Sequence, residues 1–474
     1  MVRTEPLPPE LRAQNLEIEE IARSAGLDFF QVIFELLDAR DVNALAAYTG
    51  FPVRYPSWRF GMEFERLDKG YSWGLSKIYE LVINNDPTYA YLVRSNSQME
   101  QKLVMAHVYG HADFFKNNIW FQPTERQMVS VMADNGVRVR RYIDTYGQET
   151  VERFLDMALA LDDMIDPYLP LREHRKRKAP VKRRATPLER ARRSLDATFA
   201  GRSRPEPEKE PNREAPSPER PAADLLGFLM EAADLPEWQR DILHIVRSEA
   251  YYFVPQRMTK IINEGWASFW HSRIMTRSLL GASDVVDFAD CHSGATASQP
   301  GQLNPYKLGI ELFRYAEEKG MDLFRLRAVH NDVSFIDAVI DEEFARRSNL
   351  FLYQRNPRSG RMEIADRDWR PIKAQLLSSL TGGGVPQIEL VDADHEGRGE
   401  LCLRHHFDGR ELQLDQAGET LKQVARIWKR PCHLLTQAEG SPLRLSTDGE
   451  EISRVETAEA AEDAAEGGDD RLAG

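Results

Sequence analysis

Residues 172–193, REHRKRKAPVKRRATPLERARR, carry eleven lysines and arginines against two acids, and RPEPEKEPNREAPSPERP comes soon after. Such a stretch has too few apolar side chains to offset the entropy lost on ordering. Any core this chain builds must therefore be assembled from residues on either side of 172–222, which is expected to be a disordered insertion. A basic run can meet nucleic-acid phosphates, but no aromatic residue interleaves this one. It reads as a solvated spacer, and nucleic-acid binding is not expected.

The flanks read differently. Residues 1–171 keep apolar residues at helical spacings, as in ETVERFLDMALALDDMI, and helical pattern resumes over 223–344 from DLLGFLMEAADLPEWQRDILHIVRSEAYYF onward. From 345 to 446 the pattern becomes strand-like: LFLYQ and RMEIAD flank RNPRSG as a hairpin, and WRPIKAQLLSSL is a helix. QIELVDAD, GELCLRHHF and ELQLD then read as strands, ETLKQVARIW as a helix and PCHLLTQ as a strand. Residues 447–474 are acidic, rich in alanine, and expected to be disordered. The expected fold is α+β: a predominantly helical core split by the insertion, plus a small C-terminal α+β domain.

At 474 residues the chain needs neither disulfide nor metal merely to stay folded, so a metal site would be functional. It has three cysteines, an odd number with no CxxC pair. No secretory leader and no run of about 18 apolar residues is present. A cytoplasmic protein with no membrane span is expected.

In LVMAHVYGHADFFKNN, residues 103–118, His107 and His111 are four apart in an apolar run. Residues so spaced lie on one helical face and can hold one ion. Ser97 and Glu100 have the spacing of a capping box ahead of that helix, and TYAYLVRSN, residues 88–96, reads as an exposed strand before it. This strand–helix order is zincin-like, an exposed strand being suited to bind extended peptide. Val108, however, occupies the place where H-E-x-x-H enzymes carry their general base, and valine accepts no proton.

Further along, RMTKIINEGWASFWHSRIMTRSLL is an apolar helix with Glu264, Ser268 and His271 near one face. A carboxylate in such surroundings calls for a cation or strong donor. The expected site is one divalent ion, zinc first, held by His107, His111 and Glu264, with His271 closing a fourth position. Glu249 is the first choice of base, with Glu63 and Glu65 behind it. The alternative is a buried His–Glu–Lys260 network with no ion. DADHEG at 392–397 reads as a turn, since Leu403 stands where a calcium loop needs Glu. TGGGVPQ lacks the lysine of a phosphate loop, and Cys291–His292 reads as a loop thiol rather than a nucleophile.

The runs WRFGMEFE, GLSKIYELVINNDPTYAYL, VMAHVYGHADFFKNN, YYFVPQRMTKIINEGWASFWHSRIM and LNPYKLGIELF resemble the stage V sporulation protein R (SpoVR) family. The resemblance covers most of residues 9–440. It implies a link to spore cortex formation or, more broadly, to stress response. It also implies partners encoded nearby: a serine protein kinase and a protein with a von Willebrand-type domain. It supplies no catalytic residue. Two functions follow: a metal-dependent hydrolase of peptide or amide bonds lacking the usual glutamate, or a non-catalytic regulatory or scaffold protein of the kinase system.

Overall fold

The computed structural model describes residues 5–72, 80–178, 223–279, 287–289, 304–348, 350, 352–355, 360, 362–366 and 368–457. Cys291, His292, residues 179–222 and residues 458–474 lie outside the described residues.

The first part of the chain runs β1 (Glu5–Pro6), α1 (Pro9–Ser24), β2 (Val32–Leu37), α2 (Ala39–Ala47), α3 (Trp58–Ser72), β3 (Glu80–Ile83), β4 (Thr88–Val93) and α4 (Gln98–Asn117). Then come α5 (Met128–Tyr146), α6 (Gln148–Leu159) and α7 (Leu169–Lys178). The strands form one sheet in the order β1-β2-β4-β3, with β2 and β4 parallel and the outer pairs antiparallel. The strand before the histidine helix is therefore not exposed. β4 is hydrogen-bonded on both sides and nearly all buried, and the edge beyond it is β3. β2 departs from the helical expectation, because its apolar run packs on both faces of the sheet, as a parallel strand requires.

α7 also carries helix into the basic stretch as far as Lys178. Asp166 anchors its start, accepting from the Tyr168 amide at 2.9 Å and pairing with Arg172.

After the insertion come α8 (Leu225–Ala232), α9 (Glu237–Met258) and α10 (Lys260–Ile274), which continues as a π-helical turn, Met275–Leu279. Thr259 divides α9 from α10 and gives its hydroxyl proton to the Pro255 carbonyl. The free amides of Ile261 and Ile262 at the start of α10 donate to the buried carboxylate of Asp332 at 3.0 and 2.8 Å. α11 (Pro305–Glu318), α12 (Leu323–Val329), α13 (Asp332–Val339) and α14 (Glu342–Arg347) follow. α10 is sandwiched between α4 and α11, so the two polar-bearing apolar helices are direct neighbours.

β5 (Leu352–Arg355) and β6 (Met362–Asp366) form the expected hairpin, and α15 (Trp369–Leu380) packs on α13 and α14. The last sheet has the order β11-β10-β9-β8-β7, built from β7 (Ile388–His395), β8 (Glu400–His405), β9 (Cys432–Ala438), β10 (Ser441–Thr447) and β11 (Ile452–Glu456). α16 (Leu414–Trp428) connects the parallel pair β8 and β9.

Two expectations change here. ELQLD is not a strand: its end already belongs to α16. The acidic tail begins ordered, because Asp448 accepts from the Glu450 amide at 2.9 Å and Gly449 takes a left-handed φ of 105°, turning the chain so that β11 pairs with β10. Apolar packing is continuous across both parts: Leu390, Leu403, Leu421 and Leu434 belong to the same buried cluster as Met105, Trp266 and Phe313. The fold is α+β, and no helix among the described residues is long and apolar enough to cross a membrane.

Candidate metal centre

α4 starts at its capping box, with the Glu100 amide donating to Ser97 Oγ at 3.2 Å and the Ser97 amide to Glu100 Oε2 at 2.6 Å. From Val104 to Phe115 every residue is buried, so both histidines enter the protein interior. Gly110, between them, permits their reach. A Cβ there would stand 2.6 Å from the Cα of Ala267, so α4 and α10 approach backbone to backbone. On the other face of α10, a Cβ on Gly265 would lie 2.5 Å from Gly309 of α11. Three helices thus meet at glycines beside the polar groups they carry.

This crossing brings His107, His111 and Glu264 together, with one ligand atom from each within 4.8 Å of the others. Glu264 Oε2 lies 3.4 Å from His107 Nε2 and 3.5 Å from His111 Nε2. The rings stand nearly perpendicular, 86°, with centroids 4.5 Å apart. Their other nitrogens are engaged: His111 Nδ1 lies 2.9 Å from Asn263 Oδ1, and His107 Nδ1 lies 2.9 Å from His271 Nδ1. Asn263 Oδ1 only accepts, so His111 carries its proton on Nδ1 and turns the Nε2 lone pair toward Glu264. His271 therefore stands behind His107, where it orients that ring, and is outside the group whose ligand atoms lie within 4.8 Å of one another.

A lone pair facing a carboxylate oxygen is repulsive unless a proton or cation stands between them. Glu264 Oε2 is buried with no hydrogen-bond partner, and an orphaned atom of this kind is costly. Burial alone would raise the Glu264 carboxyl, but the two imidazoles hold it far below the usual carboxylate range. Burial alone would lower the His111 imidazole, and Glu264 outweighs it, so that pKa is raised. The arrangement attracts positive charge. Two imidazole nitrogens, each on a ring whose other nitrogen is engaged, and a carboxylate are a donor set suited to a divalent ion of zinc type.

The remaining expected residues lie elsewhere. Glu249 on α9 accepts from Arg54 Nη2 at 2.6 Å, the Tyr55 hydroxyl at 3.1 Å and Asn135 Nδ2 at 3.1 Å. Burial raises its carboxyl against the pull of Arg54. Glu63 and Glu65 are on the outer face of α3, paired with Arg66 and Lys69, and Lys260 is exposed. Three residues at the cluster escaped the sequence reading: Glu80, Asn263 and Tyr306. No spacing rule links them to the histidines, yet all three fall within the runs that carry the family resemblance.

A family model described as SpoVR like protein matches residues 7–385, and a second, SpoVR-like C-terminal domain, matches 386–439. The chain is 31% identical over 482 residues to a protein of Escherichia coli (strain K12) described as uncharacterized protein YcgB, covering 90% of this chain and 92% of that one. No solved structure matches. The histidine helix, the glutamate helix and the tyrosine helix all fall inside the first matched region, and the chain belongs to the SpoVR family.

Proposed function

We propose that this SpoVR-family protein holds one divalent metal ion, zinc first, on His107, His111 and Glu264, and uses it to hydrolyse amide or peptide bonds. One observation carries the reading: a buried Glu264 Oε2 with no hydrogen-bond partner, facing two imidazole nitrogens whose opposite nitrogens are already engaged. Three protein ligands leave room for solvent or substrate, the mark of a catalytic rather than a structural zinc site. When bound, the ion supplies Lewis acidity toward a carbonyl or water. The zincin likeness then lies in the paired histidines on one helix beside a sheet edge, here β3. The cellular role expected from the resemblance, cortex formation or stress response in the cytoplasm, belongs to the same proposal.

A second reading has Val108 in its favour, since the helix that carries the histidines carries no base. In that reading the centre is structural, and the chain is a scaffold for a serine protein kinase and a von Willebrand-type partner. Elemental analysis of the full chain, purified without chelators, tests the shared premise. One equivalent of metal in the wild type and none in His111→Ala is the expected result; a metal-free wild type refutes it. Metal-dependent release of amines from a peptide mixture, absent in His111→Ala, then separates hydrolase from scaffold.

A further inference from the structure

A cavity of about 520 Å³ opens between the loop after α4, the start of α7 and the second half of α9, and shares no lining residue with the histidine cluster. Trp120, Met128, Val131, Tyr252, Val254 and Pro255 line it, and all but Val131 are buried. Apolar and aromatic walls around a volume of this order are what a small molecule needs.

Two guanidiniums reach the same cavity, and only one of them has a counter-charge. Asp224 accepts from Arg247 Nε at 2.8 Å and pairs with its Nη2, and the Tyr251 hydroxyl donates to the same carboxylate oxygen at 3.1 Å. Arg126 has no such partner. Its Nη1 donates to Asn84 Oδ1 at 2.7 Å and its Nη2 to the carbonyls of Phe115 and Phe121, each at 3.1 Å. The guanidinium also lies over Phe30, 5.3 Å from the ring centroid.

Every acceptor of Arg126 is a neutral oxygen, so the group is held in place with its charge unpaired. Its Nε–H and one Nη1 proton have no acceptor among the described residues. Glu125 lines the cavity too, but it is exposed and accepts from the Gln127 amide at 2.7 Å. Asp86 acts on Arg126 without forming an ion pair. A half-buried cation on an apolar wall calls for an anion.

We propose that this cavity binds a small monocarboxylate with an aromatic or branched apolar body, its carboxylate on Arg126 and its body against Trp120, Val131 and Tyr252. The site does not depend on the metal-centre reading. One unpaired guanidinium suits a monoanion. A doubly charged phosphate would want the fork of Arg247 as well, and Asp224 already fills it. The buried walls favour an apolar body by the area they take from water.

The test uses the full chain as purified and 4-phenylbutyrate as probe, with 4-phenylbutanamide as its uncharged counterpart. Titration calorimetry should show one phenylbutyrate per chain, bound roughly tenfold or more tightly than the amide. No binding, or equal affinities, overturns the proposal. Tighter binding of N-acetyl-Ala-Ala-Phe than of phenylbutyrate would make the occupant a peptide terminus and overturn it too. Arg126→Gln should remove the preference for the acid. Ser248→Trp, which fills the cavity from α9 and leaves Arg126 in place, should abolish binding of both probes. A variant that folds and keeps wild-type binding overturns the assignment. A crystal structure of the wild type with phenylbutyrate needs no variant to fold. The carboxylate should lie within hydrogen-bond distance of the Arg126 guanidinium and the phenyl ring against Tyr252, and any other placement overturns the assignment.

Discussion

Glu249 and Glu264 are both carboxylates on helices of the same core, and their surroundings differ in one respect. Glu249 has a partner for each oxygen, in Arg54, Tyr55 and Asn135. Glu264 has two imidazoles too far and too poorly aimed to satisfy Oε2. Burial and an acidic side chain are common to both, so neither marks function. What distinguishes them is whether the protein supplies the counter-charge itself. At Glu249 it does, and the group is structural. At Glu264 the two imidazoles pull the carboxyl down yet leave Oε2 without a hydrogen bond, and the rest of the counter-charge is left to come from outside.

The largest stability effect should come from breaking the self-sufficient site. Arg54→Ala leaves the Glu249 carboxylate buried and uncompensated, which should cost about 3–5 kcal/mol in urea unfolding, with metal content per folded chain unchanged. A loss below about 1 kcal/mol would show that Glu249 is not held as described.

Next comes a pH effect at the start of the glutamate helix. Burial raises the Asp332 carboxyl to about 7, against the amides of Ile261 and Ile262. A folded pKa above the unfolded one means that stability is fully present at low pH and lost as pH rises. Between pH 4 and 7 the metal-free wild type should therefore lose on the order of 3 kcal/mol relative to Asp332→Asn. Parallel pH curves for the two proteins would show that burial does not raise Asp332 in this way. The neighbouring Asp113 behaves alike, raised by burial to about 6, but both proteins keep it.

Gly110→Ala should cost about 1–3 kcal/mol, since its methyl meets Ala267, and should also weaken metal retention by parting α4 from α10. Wild-type stability and metal content would mean that the crossing gives way cheaply. The smallest stability effect is expected at Glu264 itself. In metal-free protein Glu264→Gln should change stability by less than about 1 kcal/mol, because Oε2 has no hydrogen bond to lose, while metal binding disappears. A large destabilisation would place Glu264 with Glu249 and remove the contrast.

Much of this contrast is local in sequence and could be read there. The i, i+4 histidines, the Ser97–Glu100 box and the carboxylate in an apolar helix each depend on spacings along one element. Glu249 could not be told from Glu264 in this way, because its partners are 195, 194 and 114 residues away. Glu80 lies on a strand whose pairing with β4 is a tertiary fact. β2 was hidden for another reason: VIFELL is apolar on both faces, and such a run carries no period to separate strand from buried helix. The order of β4 and β3 reversed the expected edge, since only the sheet decides which strand is outermost.

The glycine contacts of α10 set more than the meeting of three helices. With Gly110 against Ala267 and Gly265 against Gly309, the spacing between the imidazoles and the carboxylate is fixed by main chain, with no long side chain to flex between them. On the proposed metal reading the crossing would act as a calliper on ionic radius. An ion with bonds of about 2 Å would then be gripped without moving a helix, whereas calcium, at about 2.4 Å, would have to push apart backbones that have nothing soft to compress.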